Sequence, residues 1–188
     1  HPEKFRAEVL AELLPPLDKN RNSLFWEHIG KKFTGMEYKE ANTNCRTNAE
    51  FMFSLFPHTL MYTTILPEKI QKLIGAVHPD TVAVKQMLER IGFKFSQEVC
   101  PFDGGPHYRA RLQDISIIKR SRSLIFSPPE GPGENPKGSL ALASHDDAGE
   151  FRAALCRVEA DDVRVRIDPE TARVLGLRRG QHVHVLSL

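Results

Sequence analysis

Residues 127–137 read SPPEGPGENPK, with four Pro and two Gly. Proline removes a main-chain donor and fixes φ, so neither a helix nor a central strand can run through such a stretch. It reads as an exposed loop or linker. The chain is therefore expected to fold in blocks on either side of it. The expected organisation is 1–126, a linker or loop at 127–139, and a small β-rich part at 140–188.

The length allows one domain, or one domain with a small appendage, and a sizeable buried core. The 188 residues are 40% hydrophobic and 27% charged, an ordinary globular balance. The 26 Lys and Arg stand against 24 Asp and Glu, a net charge of +2, so charge does not mark a nucleic-acid reader. No apolar run approaches the length of a membrane helix, and no membrane association is expected. Cys45, Cys100 and Cys156 are too scattered for a disulfide framework or a cysteine-based zinc site, which makes a reducing cytoplasm the expected compartment. The chain opens on His1 with no signal-peptide pattern, which reads as a processed or cropped start.

Periodicity predicts mixed α/β (α+β) structure. Residues 3–14 fit a helix or a strand, and Pro15-Pro16 stops either. Ser23 is the expected N-cap of a helix through Lys32, with Phe25, Ile29 and Phe33 on one face and Gly35 at its end. Phe51, Met52, Leu55 and Phe56 predict a helix between Cys45 and Pro57. Leu60–Leu66 (LMYTTIL) is the best strand candidate of the first half. Ile70, Leu73, Ile74 and Val77 predict a helix after Pro67. A second helix, with Val84, Met87, Leu88 and Ile91 inward, closes at Gly92. Strands are predicted over 93–100, 107–112, 123–126, 140–143, 151–158 and 163–167, with a last one around Val183 and Val185. Short helices are expected at 114–121 and 168–175.

His78 is the first chemical candidate. Pro79 suits a first helical position, so His78 falls at the N-cap, where a helix terminus favours neutral imidazole and general acid–base work. A simple capping role fits the same position. The turn Pro101–Pro106 (PFDGGP) is the second. Gly104 and Gly105 could offer main-chain N–H groups to an anion, and Asp103 could meet a cationic substrate. A plain hairpin connection reads equally from these residues. His58 and Glu98 lie at strand ends. His182 and His184 share a face without a third ligand, and no metal is expected. Arg46 would favour a Cys45 thiolate, but no His or Asp spacing supports a nucleophile. Walker A, GxSxG and GxGxxG motifs are absent.

Five segments together resemble the arginine N-succinyltransferase family. They are SLFWEHIGKKFTGMEY (23–38), PEKIQKLIGAVHPDT (67–81), MLERIGFKF (87–95), PFDGGP (101–106) with LQDISIIKRSR (112–122), and GEFRAALC (149–156). GAVHP and FDGGP at this separation are the specific part.

The resemblance implies a GNAT-like acyl-CoA N-acyltransferase fold, duplicated in one chain, of which this would be the C-terminal portion. It implies transfer of succinyl from succinyl-CoA, as cosubstrate, to the α-amine of arginine or a similar amine in arginine catabolism, with no permanently bound cofactor. His78 maps onto the family's proton donor, and Asp103, Gly104, Gly105 and His58 are the substrate-binding candidates. Residues 8–14 become the strand after the CoA-side helix. The family's pyrophosphate loop has no counterpart between His1 and Leu188, so this segment alone is expected to be weak or inactive and to assemble through that N-terminal region or a second subunit. Arg109 stands where an acidic residue is expected after FDGGP. A non-catalytic ligand-binding module of the same fold, or an N-acyltransferase for a different amine, stay open as alternatives.

Overall fold

The computed structural model describes residues 7–48, 50–51, 54, 60–129, 131, 136–147 and 149–188. The chain packs as two compact units, His1–Ile115 and Ser116–Leu188. Among the described residues no helix is long and apolar enough to cross a membrane.

The first unit contains β1 (Glu8–Glu12), α1 (Leu24–His28), α2 (Gly30–Thr34), α3 (Tyr38–Thr47), α4 (Glu68–Gln71), α5 (Val82–Arg90), β2 (Lys94–Val99) and β3 (Pro106–Arg111). Its three strands form an antiparallel sheet in the order β1-β3-β2. β3 is central because it alternates cleanly: Tyr108 and Ala110 face the core, while His107, Arg109 and Arg111 face away. Leu13, Phe93 and Ile115 complete that core, with Leu88 and Ile91 of α5 packed against it. The ambiguous N-terminal stretch is thus a strand. Its register, Glu8 opposite Arg111 through Glu12 opposite His107, aligns the ends of β1 and β3.

Four expectations in this unit need correction. The helix predicted from Ser23 is two short helices, broken at Ile29 (φ −121°, ψ −69°). The Trp26 ring lies where a side chain on residue 30 would go, and only glycine leaves that room. LMYTTIL is not a strand: it carries one 3-10 turn at Thr63–Ile65, and Leu60 and Ile65 are 87% and 81% exposed. β propensity needs a partner strand, and none among the described residues pairs with it. The helix after Pro67 is the single turn α4, because Gly75 leaves the helical region (φ 73°) and its N–H is taken by the Gly104 carbonyl. In α5 only Leu88 and Ile91 turn inward, whereas Val84 and Met87 are exposed. Met52, Leu55 and Phe56 lie outside the described residues.

The second unit contains α6 (Ser116–Arg120), β4 (Arg122–Ser127), β5 (Ser139–Asp147), β6 (Glu150–Ala160), β7 (Arg164–Ile167), α7 (Pro169–Leu175) and β8 (His182–Ser187). The strands close into a barrel in the order β4-β7-β6-β5-β8, with β4 and β7 parallel. Closure leaves no unpaired edge. Ala141 and Ala143 of β5 are fully buried beside Leu124, Phe126, Val165, Ile167 and Val183, small residues alternating with large ones in a narrow interior. α7 adds Ala172 and Leu175 to this core. It starts at Asp168, whose Oδ1 accepts the Thr171 N–H at 2.8 Å, and ends at left-handed Gly176.

The Pro/Gly-rich stretch therefore does not separate the packing units. β4 precedes it and β5 follows it, and both belong to one barrel, so it is a barrel connection and residues 116–126 group with the second unit rather than the first.

Candidate functional site

The PFDGGP turn is fastened from five directions. Cys100 N–H donates to the Gly105 carbonyl and Gly104 N–H to the Cys100 carbonyl, each at 2.8 Å. Gly105 N–H donates to Asp103 Oδ1 at 2.9 Å. The Ser23 hydroxyl donates to the Asp103 carbonyl at 2.9 Å and accepts the Trp26 N–H at 3.1 Å, so the cap of α1 also clamps the turn. Leu13 N–H reaches the Pro106 carbonyl at 3.1 Å. Phe102 packs between Trp26, with ring centroids 4.5 Å apart, and Tyr38, at 5.5 Å.

Glycine is required at both central positions. Gly104 has φ 80°, and a Cβ there would lie 2.9 Å from the Phe25 ring; a Cβ on Gly105 would lie 2.6 Å from the Leu13 carbonyl oxygen. Their N–H groups are nevertheless engaged inside the turn, so the anion cradle expected of them is not open. The charged side chain buried in this turn is Asp103.

Asp103 is 8% exposed. Burial raises its pKa above the ordinary 3.8, the Gly105 N–H opposes the rise, and the Glu12 carboxylate adds to it. Glu12, Cys100 and Asp103 bring ligand-type atoms within 4.8 Å of one another. Burial and then the Asp103 charge push the Cys100 thiol up to about 12, so it stays protonated and hydrogen bonds to Asp103. Burial and Asp103 likewise push Tyr38 up to about 12. The result is a buried carboxyl ringed by neutral hydroxyl and thiol groups, with an acidic neighbour at its mouth. Sequence reasoning did not find Glu12, Cys100 or Tyr38 as its neighbours. Ser23 was legible as a cap, but its bond to residue 103 was not.

His78 caps a 3-10 turn, Pro79–Thr81, that leads into α5. Its Nδ1 accepts the Asp80 N–H at 3.2 Å and lies 3.5 Å from Asp80 Oδ2. Its own N–H donates to the Leu14 carbonyl at 2.8 Å. Gly75 N–H donates to the Gly104 carbonyl at 3.0 Å. The GAVHP segment is thus bound by main-chain hydrogen bonds both to the DGG turn and to the chain just beyond β1. The structure brings together the two motifs that stood out in the sequence.

Other candidates fall elsewhere. His58 lies outside the described residues. Arg109 does not stand as an uncompensated charge: its Nε and Nη2 each reach Glu98 Oε2 at 2.8 Å, and Glu8 lies at 3.8 Å. The Arg109 hydrogen bond holds the Glu98 carboxyl below the usual range. His182 and His184 are on the outside of the barrel, with His182 Nδ1 3.3 Å from the Ser123 hydroxyl. Burial pushes the Cys45 thiol up, against the expected influence of Arg46.

The model of the arginine N-succinyltransferase beta subunit matches residues 1–117. The chain belongs to the arginine N-succinyltransferase family. The model of that subunit's C-terminal domain matches residues 130–187. Arginine N-succinyltransferases of Salmonella paratyphi B and Salmonella newport are each 31% identical over 188 residues, covering 99% of this chain and 54% of theirs. The solved arginine/ornithine succinyltransferase subunit AI of Pseudomonas aeruginosa is 29% identical, with a TM-score of 0.74 over 100% of this chain and 53% of that one. The chain thus spans about half the length of the curated succinyltransferases it matches. Its mixed α+β architecture is that of the matching part of subunit AI.

Proposed function

We propose that this chain supplies the acceptor-side and proton-transfer residues of an arginine N-succinyltransferase with a GNAT-like fold, acting on succinyl-CoA and the α-amine of arginine. The observation that carries the reading is the juncture of GAVHP and FDGGP through Gly75–Gly104 and His78–Leu14. It supports a reading in which His78 and the buried Asp103 work from one scaffold.

In the reaction the neutral amine adds to the thioester carbonyl carbon and forms a C–N bond. The tetrahedral oxyanion collapses, the C–S bond breaks, and the nitrogen's proton ends on the thiolate. Asp80 offers His78 Nδ1 a carboxylate partner 3.5 Å away. Nδ1 accepts the Asp80 N–H, so in the neutral ring the proton sits on Nε2, which gives it to the leaving sulfur while the amine's proton, passed through solvent, replaces it. Asp103 serves the cationic end of the acceptor, where a guanidinium meets a carboxylate through charge-assisted hydrogen bonds. Gly104 and Gly105 shape the turn that holds it. The oxyanion needs donors other than their N–H groups, since these are occupied. Neutralisation of Arg109 by Glu98 and Glu8 removes the feature that pointed to a different amine.

The test is His78→Ala in the protein that carries this chain, followed by thiol release from succinyl-CoA with arginine. The expected loss is at least about 10²-fold, within the range for general acid–base groups. An unchanged rate removes His78 from the chemistry.

A further inference from the structure

On the outer wall of the barrel, where β4, β6 and β7 meet, lies a cleft of about 560 Å³, whose charged lining is Arg164, Arg166 and Arg179 with Glu159 and Asp161. Its volume is that of a small-molecule site. Val165 and Ile167 point into the barrel and are fully buried, so Arg164 and Arg166 stand on the same outward face of β7, about 7 Å apart along the strand. Arg179 comes from the turn before β8. The chain there is pinned to β4 by Gly180 N–H to the Phe126 carbonyl, at 3.0 Å, and by Phe126 N–H to the Gln181 carbonyl, at 2.8 Å.

The three arginines are not equivalent. Arg166 sits opposite Glu159 in the β6/β7 register and pairs with it at 3.8 Å. Among the described residues, Arg164 and Arg179 form neither a side-chain hydrogen bond nor an ion pair. Asp161 borders the cleft, and its Oδ1 accepts the Val163 and Arg164 N–H groups, each at 2.7 Å, while its charge acts on Arg164 and Arg166 without an ion-pair contact to either. The two main-chain bonds, and then the Arg164 and Arg166 charges, lower its pKa, and one acidic group beside three arginines leaves positive charge in excess once Glu159 has paired with Arg166. Among the described residues the Arg164 and Arg179 forks therefore line a ligand-sized cleft with no hydrogen bond or ion pair of their own, and Pro128 and Pro129 beside them offer no N–H donor. A carboxylate would balance one of them. A phosphate group carries close to two negative charges and has oxygens for both forks.

We propose that this cleft binds the phosphate group of a small phosphorylated ligand, held by Arg164 and Arg179 with Arg166 fixed beside them by Glu159. The proposal does not depend on the catalytic reading of His78.

The test titrates the ¹⁵N-labelled 188-residue chain with inorganic pyrophosphate at constant ionic strength. Saturable shifts are expected at the amides of residues 164–166 and 178–180. Arg164→Ala and Arg179→Ala should each weaken binding by at least ~10-fold, and Arg164→Lys, which keeps the charge and loses the fork, by less. Both positions are on the exposed surface, and a dispersed spectrum reports that each variant is folded. Absence of saturable shifts, or shifts that survive both alanine substitutions, would overturn the site. Succinate shifting the same amides as strongly as pyrophosphate would overturn the phosphate assignment.

Discussion

Asp103 shows how a buried carboxyl can oppose stability. Its native pKa is raised, chiefly by burial, so the folded protein binds its proton more tightly than the unfolded chain. The stabilisation from that proton is complete below about 3.8 and is lost as pH rises through the raised native value. Asp103→Asn keeps an oxygen for the Gly105 N–H and carries no charge. The melting temperature of the variant relative to the parent is expected to rise by a few degrees between about pH 4 and neutrality and then level off. A flat difference across that range would show that Asp103 titrates in the folded state as it does in the unfolded one. Cys100 makes a chemical counterpart. With its thiol pushed up to about 12, it should resist iodoacetamide at pH 8 in the native protein and react once the chain is unfolded. Rapid native alkylation at Cys100, located by peptide mapping, would contradict this.

The elements are held by residues that act at both ends of a contact. Ser23 caps α1 and clamps the Asp103 carbonyl with one hydroxyl that is fully buried. Ser23→Ala loses the cap and leaves a buried carbonyl without that donor, an expected cost of about 2 kcal/mol and several degrees in melting temperature. The α7 cap is simpler. Asp168→Ala should cost about 1 kcal/mol, the usual worth of an N-cap, measured by chemical denaturation. Such caps were legible in the sequence because their partners lie two or three residues away; Ser23, His78 and Asp168 all cap where local pattern places them. LMYTTIL was misread for the converse reason. Its composition suits a strand, yet a strand exists only through a neighbour, and no local signal reports one.

At the level of the molecule, the barrel unit has its own core and a closed hydrogen-bonded wall. Residues 116–188 expressed alone are therefore expected to fold, with a dispersed amide spectrum and one cooperative thermal transition; a chain of this size can reach independent stability. A molten or unfolded fragment would show that the barrel borrows stability from elsewhere. The Pro/Gly-rich stretch that first divided the chain is a connection inside that barrel, and the units divide earlier, at Ile115 and Ser116. Short-range chemistry was readable from residue order: turns, caps, proline stops, alternation along β3, and the two motifs that carry the family resemblance. Everything that depended on contacts between distant residues was not. The pairing of Arg109 with Glu98, the approach of Glu12 to Asp103, the meeting of His78's segment with Gly104 and the convergence of Arg164 and Arg179 come from strands and turns that are separate in the chain. Register and closure decide such contacts, and these are set by packing the whole core rather than by any stretch of chain alone.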